Sequence, residues 1–252
     1  MRYRSALPSV GRVLTSVATT AILATNVHCA RIPNAAHDGT LGPALVASRP
    51  APLPASEGAT LDEIMSGATG TYIDRTLDDR DSTIERWPDR IAEPLHVWID
   101  SSSTIGGAQA GFPAAVRFAF GEWAGTGIPL RFDFVPSSRN ADVRIRWTDH
   151  LNKKTGSTSW RTDDGGWLTS CDIMLATHVS DGHDLDAHGM RAIALHEVGH
   201  ALGLSHSNDP QDIMAPLVRV DGLSAPDRGT IRLLYSLHAG HVLPSASVAH
   251  TR

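Results

Sequence analysis

The chain has 252 residues, 41% of them hydrophobic, and a formal net charge of −5 with both signs mixed along its length. That size sustains one respectable core rather than two, and the absence of a basic run excludes a nucleic-acid-binding surface as a working expectation. Two cysteines, Cys29 and Cys171, exclude a disulfide-dense scaffold.

Residues 1–29 read as an export leader. Arg2, Arg4 and Arg12 supply positive charge ahead of Val13 to Val27, a charge-free and mildly apolar run. That run is too short and too rich in threonine for a transmembrane helix. His28-Cys29-Ala30 is a poor match to a small-x-small cleavage site, and Cys29 could instead carry a lipid, so two destinations stay open. The protein is expected to be secreted or extracytoplasmic, with a membrane attachment only if Cys29 is lipidated. A cut after Cys29 would leave Cys171 alone, so the fold would rest on core packing and a metal rather than on a disulfide.

Residues 30–60 form a Pro/Ala-rich spacer. Residues 61–93 carry Ile73, Leu77 and Ile84 at near-helical spacing and read as a linker helix or pro-segment, ended by Trp87-Pro88 because a residue before proline resists the α conformation. The globular domain is expected over residues 94–237. Leu95 to Ile99 is its first strand. Phe112 to Trp123 has the apolar spacing of a packed helix, with Ala115, Val116, Ala119, Phe120 and Trp123 on one face, stopped by Gly125-Thr126-Gly127. Leu130 to Val135 and Ala141 to Trp147 alternate as strands. Gly165-Gly166 precedes Trp167 to Leu175, which reads as two short strands or one with a bulge, and Cys171 within it as a small core residue. A helix is expected from about Met190 to Leu202, and Ser224-x-x-Asp227 caps a last helix. Residues 238–252 are a polar tail without pattern, expected to be disordered.

The stretch His196-Glu197-Val198-Gly199-His200-Ala201-Leu202-Gly203-Leu204-Ser205-His206 carries the chemistry. Residues four apart share one face of a helix, so His196 and His200 can meet one ion. Glu197, about 100° around the helix, can reach a water without ligating the metal. Gly203 permits a positive φ, and the sharp turn it allows returns His206 as a third nitrogen ligand. Three protein ligands leave a fourth position for water, the mark of a catalytic rather than a structural zinc site. The added Gly and third His make the pattern about 400 times rarer than the bare His-Glu-x-x-His, taking each residue type as about one in twenty.

With Asp212-Ile213-Met214-Ala215-Pro216 following it, this motif resembles the metzincin clan of zinc endopeptidases. The flanking Ala192 to Leu195, the His206-Ser207 pair and the closing Leu223 to Tyr235 are similar to the matrixin subgroup, and the likeness covers about residues 90–237. Other branches of the clan carry a tyrosine two residues after the turn methionine; Pro216 stands there, so no tyrosine ligand is implied. The resemblance implies an α+β fold, a small, twisted, mostly parallel sheet with an active-site helix, a Met-turn and a C-terminal helix. It implies that Met214 lies as an apolar floor beneath the histidines. It further implies that an extended substrate strand pairs near Trp167, Leu168, Thr169 and Ser170, and that Ala215 and Pro216 begin the wall of a substrate pocket. No good copy of the animal matrixins' propeptide cysteine segment is present, Cys29 to Asn34 being a faint echo.

The function expected is therefore zinc-dependent hydrolysis of peptide bonds in a protein or peptide substrate by a monomer. One catalytic Zn²⁺ would be held by His196, His200 and His206, with Glu197 as general base. The alternative is a zinc-binding peptide-recognition or adhesion protein without turnover, against which the intact Glu197 argues. Asp172, His178, Asp181, His183, Asp184, Asp186 and His188 crowd the approach to the motif. Without a calcium-loop spacing they read as a solvated loop rather than a second ion site, and no additional structural Ca²⁺ or Zn²⁺ is expected.

Overall fold

The computed structural model describes residues 30–31, 60–101, 105–179 and 182–243. The leader with Cys29, most of the spacer, Asp181 and the end of the tail lie outside these residues. In chain order the elements are β1 (Ala30–Arg31), α1 (Leu61–Ser66), α2 (Ile73–Asp78), β2 (Thr83–Ile84), β3 (Arg90–Ile99) and α3 (Phe112–Ala124). Then follow β4 (Leu130–Phe134), β5 (Val143–Thr148), β6 (Gly156–Thr162), β7 (Leu168–Ala176), α4 (Ala187–Ala201), α5 (Ala225–Ser236) and β8 (Gly240–His241).

The main sheet has the order β1-β6-β7-β5-β3-β4. Strands β4, β3, β5 and β7 run parallel, and β6 is antiparallel to β7. β1 pairs with β6 in parallel, Ala30 opposite Ser159 and Arg31 opposite Trp160. Parallel strands joined by α3 and by loops bury one face against helices, so Leu95, Val97 and Ile99 of β3 turn inward at every second residue. The inward face of α3 sends Trp123 Nε1 to donate to Leu195 O at 2.9 Å, fixing α3 against α4. From Met190 to Ala201 nearly every residue of α4 is buried, so this helix runs through the core rather than over its surface. Asp186 caps its start by accepting from Gly189 N at 2.7 Å. Ser224 and Asp227 form the expected capping box of α5. Cys171 is a fully buried core residue that forms no disulfide among the described residues.

Several expectations differ from the fold. The helical signal of residues 61–86 is divided between two short helices, and Ile64, Ile73, Leu77, Ile84 and Trp87 are buried in the same core as α3 and α4. The packed body therefore begins before Pro94. Tail residues 238–243 belong to the packed body, since β8 pairs with β2 and Ala239 and Val242 are buried. Strand β6 had no counterpart in the sequence reading. No helix among the described residues is long and apolar enough to cross a membrane.

Candidate metal centre

His196 and His200 lie one turn apart on α4, and their Nε2 atoms approach to 3.0 Å. After α4 the chain reverses at Gly203, whose φ is +108°. A Cβ there would stand 2.3 Å from Glu85 O, so both the conformation and the space demand glycine. The turn delivers His206, and ligand atoms of the three rings all lie within 4.8 Å of one another.

The proton positions follow from the partners. A backbone carbonyl can only accept, so His196 Nδ1 donates to Ile213 O at 2.7 Å and His200 Nδ1 donates to Leu204 O at 2.8 Å. Each ring then turns an Nε2 lone pair towards the other. His206 Nε2 is buried without a hydrogen-bond partner. Converging lone pairs with no proton between them repel unless a cation lies among them, and a backbone carbonyl accepting the Nδ1 proton fixes each ring so that Nε2 faces a metal. Burial keeps the set neutral. It pushes His196 down to about 3, with His206 as a lesser cause, and holds His200 well below the ordinary imidazole value. The donor set fits a zinc ion.

Glu197 faces β6. Its Oε2 accepts from Thr158 Oγ1 at 2.6 Å, while Oε1 is buried without a partner. Burial raises this carboxyl to about 8, against the opposing pull of Thr158 and Lys154. Gly156 makes room for it, since a Cβ there would lie 2.2 Å from Oε1. Thr158 and Gly156 were missed by the sequence reading; Gly-Ser-Thr-Ser carries no motif that points to them.

Met214 is fully buried, and a Cβ on Gly199 would meet its sulfur at 2.3 Å. The thioether thus packs on the α4 backbone immediately before His200, and Ser207 N donates to Met214 O at 2.9 Å beside His206. Ala215 is buried and Pro216 exposed just beyond it.

The expected substrate strand at Trp167, Leu168, Thr169 and Ser170 needs correction. Leu168 is buried, pairs with Thr162 of β6, and donates its N–H to Arg86 O at 2.9 Å on the other side. Trp167 bridges to Arg86, lies under its guanidinium and meets His238 edge-on. Strand β7 thus lies between β6 and β5 rather than at the edge of the sheet. The edge beside Glu197 is that of β6. The polar residues before α4 are dispersed among other partners: Asp172 with Arg146 at 2.8 Å, His178 with Asp184 at 2.9 Å, and Asp186 in the helix cap. Among the described residues, the histidine triad is the one group of three or more metal-ligating side chains brought together.

A family model described as matrixin, of the M10 peptidases, matches residues 99–236. Matrix metalloproteinase-16 of Homo sapiens is 34% identical over 120 residues, covering 40% of this chain and 19% of the relative. Macrophage metalloelastase of Oryctolagus cuniculus is 49% identical over 140 residues, covering 50% and 28%. Metalloendoproteinase 1 of Glycine max is 26% identical over 148 residues, covering 50% and 46%. The chain thus spans less than half the length of each of these relatives.

Proposed function

The chain belongs to the matrixin family of M10 peptidases, and from that premise we propose that it is an exported zinc-dependent endopeptidase. The observation that carries the reading is the convergence of three neutral, carbonyl-oriented imidazoles beside a buried carboxyl with one unpartnered oxygen. When bound by His196, His200 and His206, zinc supplies Lewis acidity towards a carbonyl and lowers the pKa of water.

The remaining work falls to the chain. In its ionised form, which the positive charge of a bound zinc would favour against burial, Glu197 takes a proton through Oε1, free of any partner in the protein, from the attacking water and returns it to the departing amine. Thr158 holds the other oxygen, so the carboxyl keeps one orientation through both transfers. Met214 and the buried α4 backbone keep the histidines from relaxing apart. An extended peptide pairs with the β6 edge by β-augmentation, and this edge already accepts the backbone of Ala30–Arg31. Ala215 and Pro216 border the pocket beyond the scissile bond. The substrate is protein or peptide, the enzyme acts as a monomer, and export follows from the apolar leader, with Cys29 lipidation as the one route to a membrane.

The test is Glu197→Gln. This variant is expected to retain one zinc per chain and to lose peptide hydrolysis by at least about 100-fold. Metal analysis alongside a peptide assay reads both. Undiminished turnover would remove Glu197 from its role, and zinc retention without hydrolysis in the parent chain would favour the recognition protein instead.

A further inference from the structure

We infer that residues Tyr72 to Trp87 form a clamp that positions the metal-binding histidines and is retained in the working protein. The inference rests on the reading that His196, His200 and His206 hold a metal. This segment lies wholly outside the residues that match the family, 99–236. Its contacts nonetheless reach the supports of all three ligands.

Tyr72 provides the first link. Its hydroxyl donates to Asp227 Oδ1 at 2.8 Å, and Asp227 Oδ2 accepts from Ile213 N at 2.9 Å. Ile213 O in turn receives the Nδ1 proton of His196. Tyr72 is 6% exposed and Asp227 fully buried, so water cannot replace the phenol without opening the core.

Trp87 provides the second. Its fully buried indole donates from Nε1 to Ala201 O at 2.8 Å, satisfying one of the last carbonyls of α4 immediately after His200. Loop residue Glu85 provides the third. Its backbone oxygen lies against Gly203, the residue whose left-handed turn brings Leu204 O to His200 and His206 to the site. Thr76 Oγ1 accepts from Ser205 N at 3.4 Å, directly before His206.

The clamp is also bound to the strand that holds Glu197. Arg80 forms a buried ion pair with Glu85, its guanidinium lies 4.0 Å over the Trp160 ring, and Trp160 Nε1 donates to Glu85 Oε2 at 2.8 Å. Trp160 stands on β6 two residues after Thr158. One segment therefore braces both the zinc-ligand side and the carboxylate side of the centre. Tyr72 and Trp87 are positioning residues: they touch neither the metal nor a substrate, and act through Ile213 O and the end of α4.

The test uses the full chain with its Tyr72→Phe and Trp87→Phe variants. Zinc affinity is measured by competition with a chromogenic chelator, ligand geometry by the d–d absorption of the cobalt-loaded protein, and folding by the urea midpoint. The expected result is about tenfold weaker zinc binding and an altered cobalt spectrum under conditions where each variant is fully folded. Lower urea midpoints with parental zinc affinity and cobalt spectrum would make both residues servants of the fold alone and overturn the inference. A measurement independent of variants is the N-terminus, by mass spectrometry, of the zinc-loaded protein recovered after export. It is expected at or before Thr60, and a zinc-loaded species that starts beyond Trp87 would overturn the clamp. Failure of the parent chain itself to hold zinc would instead strike the metal-site reading, so the two failures are told apart.

Discussion

Glu197 is held at a point where two residues of β6 and the α4 helix each contribute one property. Gly156 contributes the absence of a side chain, Thr158 a donor, and the helix its direction. Gly156→Ala would drive a methyl group into the carboxyl, at a separation no real carbon contact reaches. Because a glutamate can swing where a backbone cannot, this variant is expected to fold, to retain zinc, and to lose kcat by at least about 100-fold as the carboxyl is displaced. Parental kcat would show that Glu197 needs no fixed seat. The ligands and the carboxylate were legible in the sequence because a helix repeats its faces every 3.6 residues, and spacing alone places His196 and His200 together. Gly156 and Thr158 were not, since they reach Glu197 from a strand 39 residues or more away and their types are common everywhere.

At the scale of elements, β6 shows why a strand can hide. Its inward positions are Gly156, Thr158, Trp160 and Thr162, of which only the tryptophan is apolar. The face that would ordinarily betray a strand by apolar alternation is given over to the carboxylate. The same strand also explains the misplaced substrate edge, because Trp167 to Ser170 looks like an edge only if nothing lies outside it. Strand β3, expected from Leu95, starts at Arg90, the register against β4 shifting between Arg90 and Leu95 around a proline that donates no ladder bond. Ala30–Arg31 occupies part of the β6 edge in parallel register. A peptide that pairs there must displace it. Removal of residues 1–59 is expected to lower KM for an extended peptide with kcat little changed, as measured by initial rates across peptide concentration. An unchanged KM would place the substrate away from β6.

Across the whole molecule, the centre binds together parts that lie far apart in the chain. The α4 helix crosses the core, and its ends and neighbours are tied by Trp87, Trp123 and Tyr235, each donating to an α4-end or α4 carbonyl: Ala201 O, Leu195 O and Leu202 O. Three buried lone pairs facing one another oppose that packing until a cation joins them. Zinc binding is then part of folding stability, by RT ln(1 + [L]/Kd), or about 4 kcal/mol at a thousandfold excess over Kd. Chelation is expected to lower the thermal midpoint by several degrees and to restore it when zinc is returned, as followed by circular dichroism; an unmoved midpoint would speak against a metal in the core. The overall α+β plan was open to sequence reasoning because β3, α3 and β5 keep clean periods, while the spacing of His196 and His200 marked α4 and the Ser224-x-x-Asp227 cap marked α5. Residues 60–87 were not, because their apolar residues are spaced by a helix break and a turn, so no single period gathers them.

Both the proposed hydrolysis and the clamp require the three histidines to close around one ion. X-ray absorption at the zinc edge of the purified protein tests this directly. The predicted result is one zinc per chain, with three imidazole nitrogens at about 2.0–2.1 Å. Absence of bound zinc at neutral pH, or a ligand shell without the imidazole signature, would contradict it.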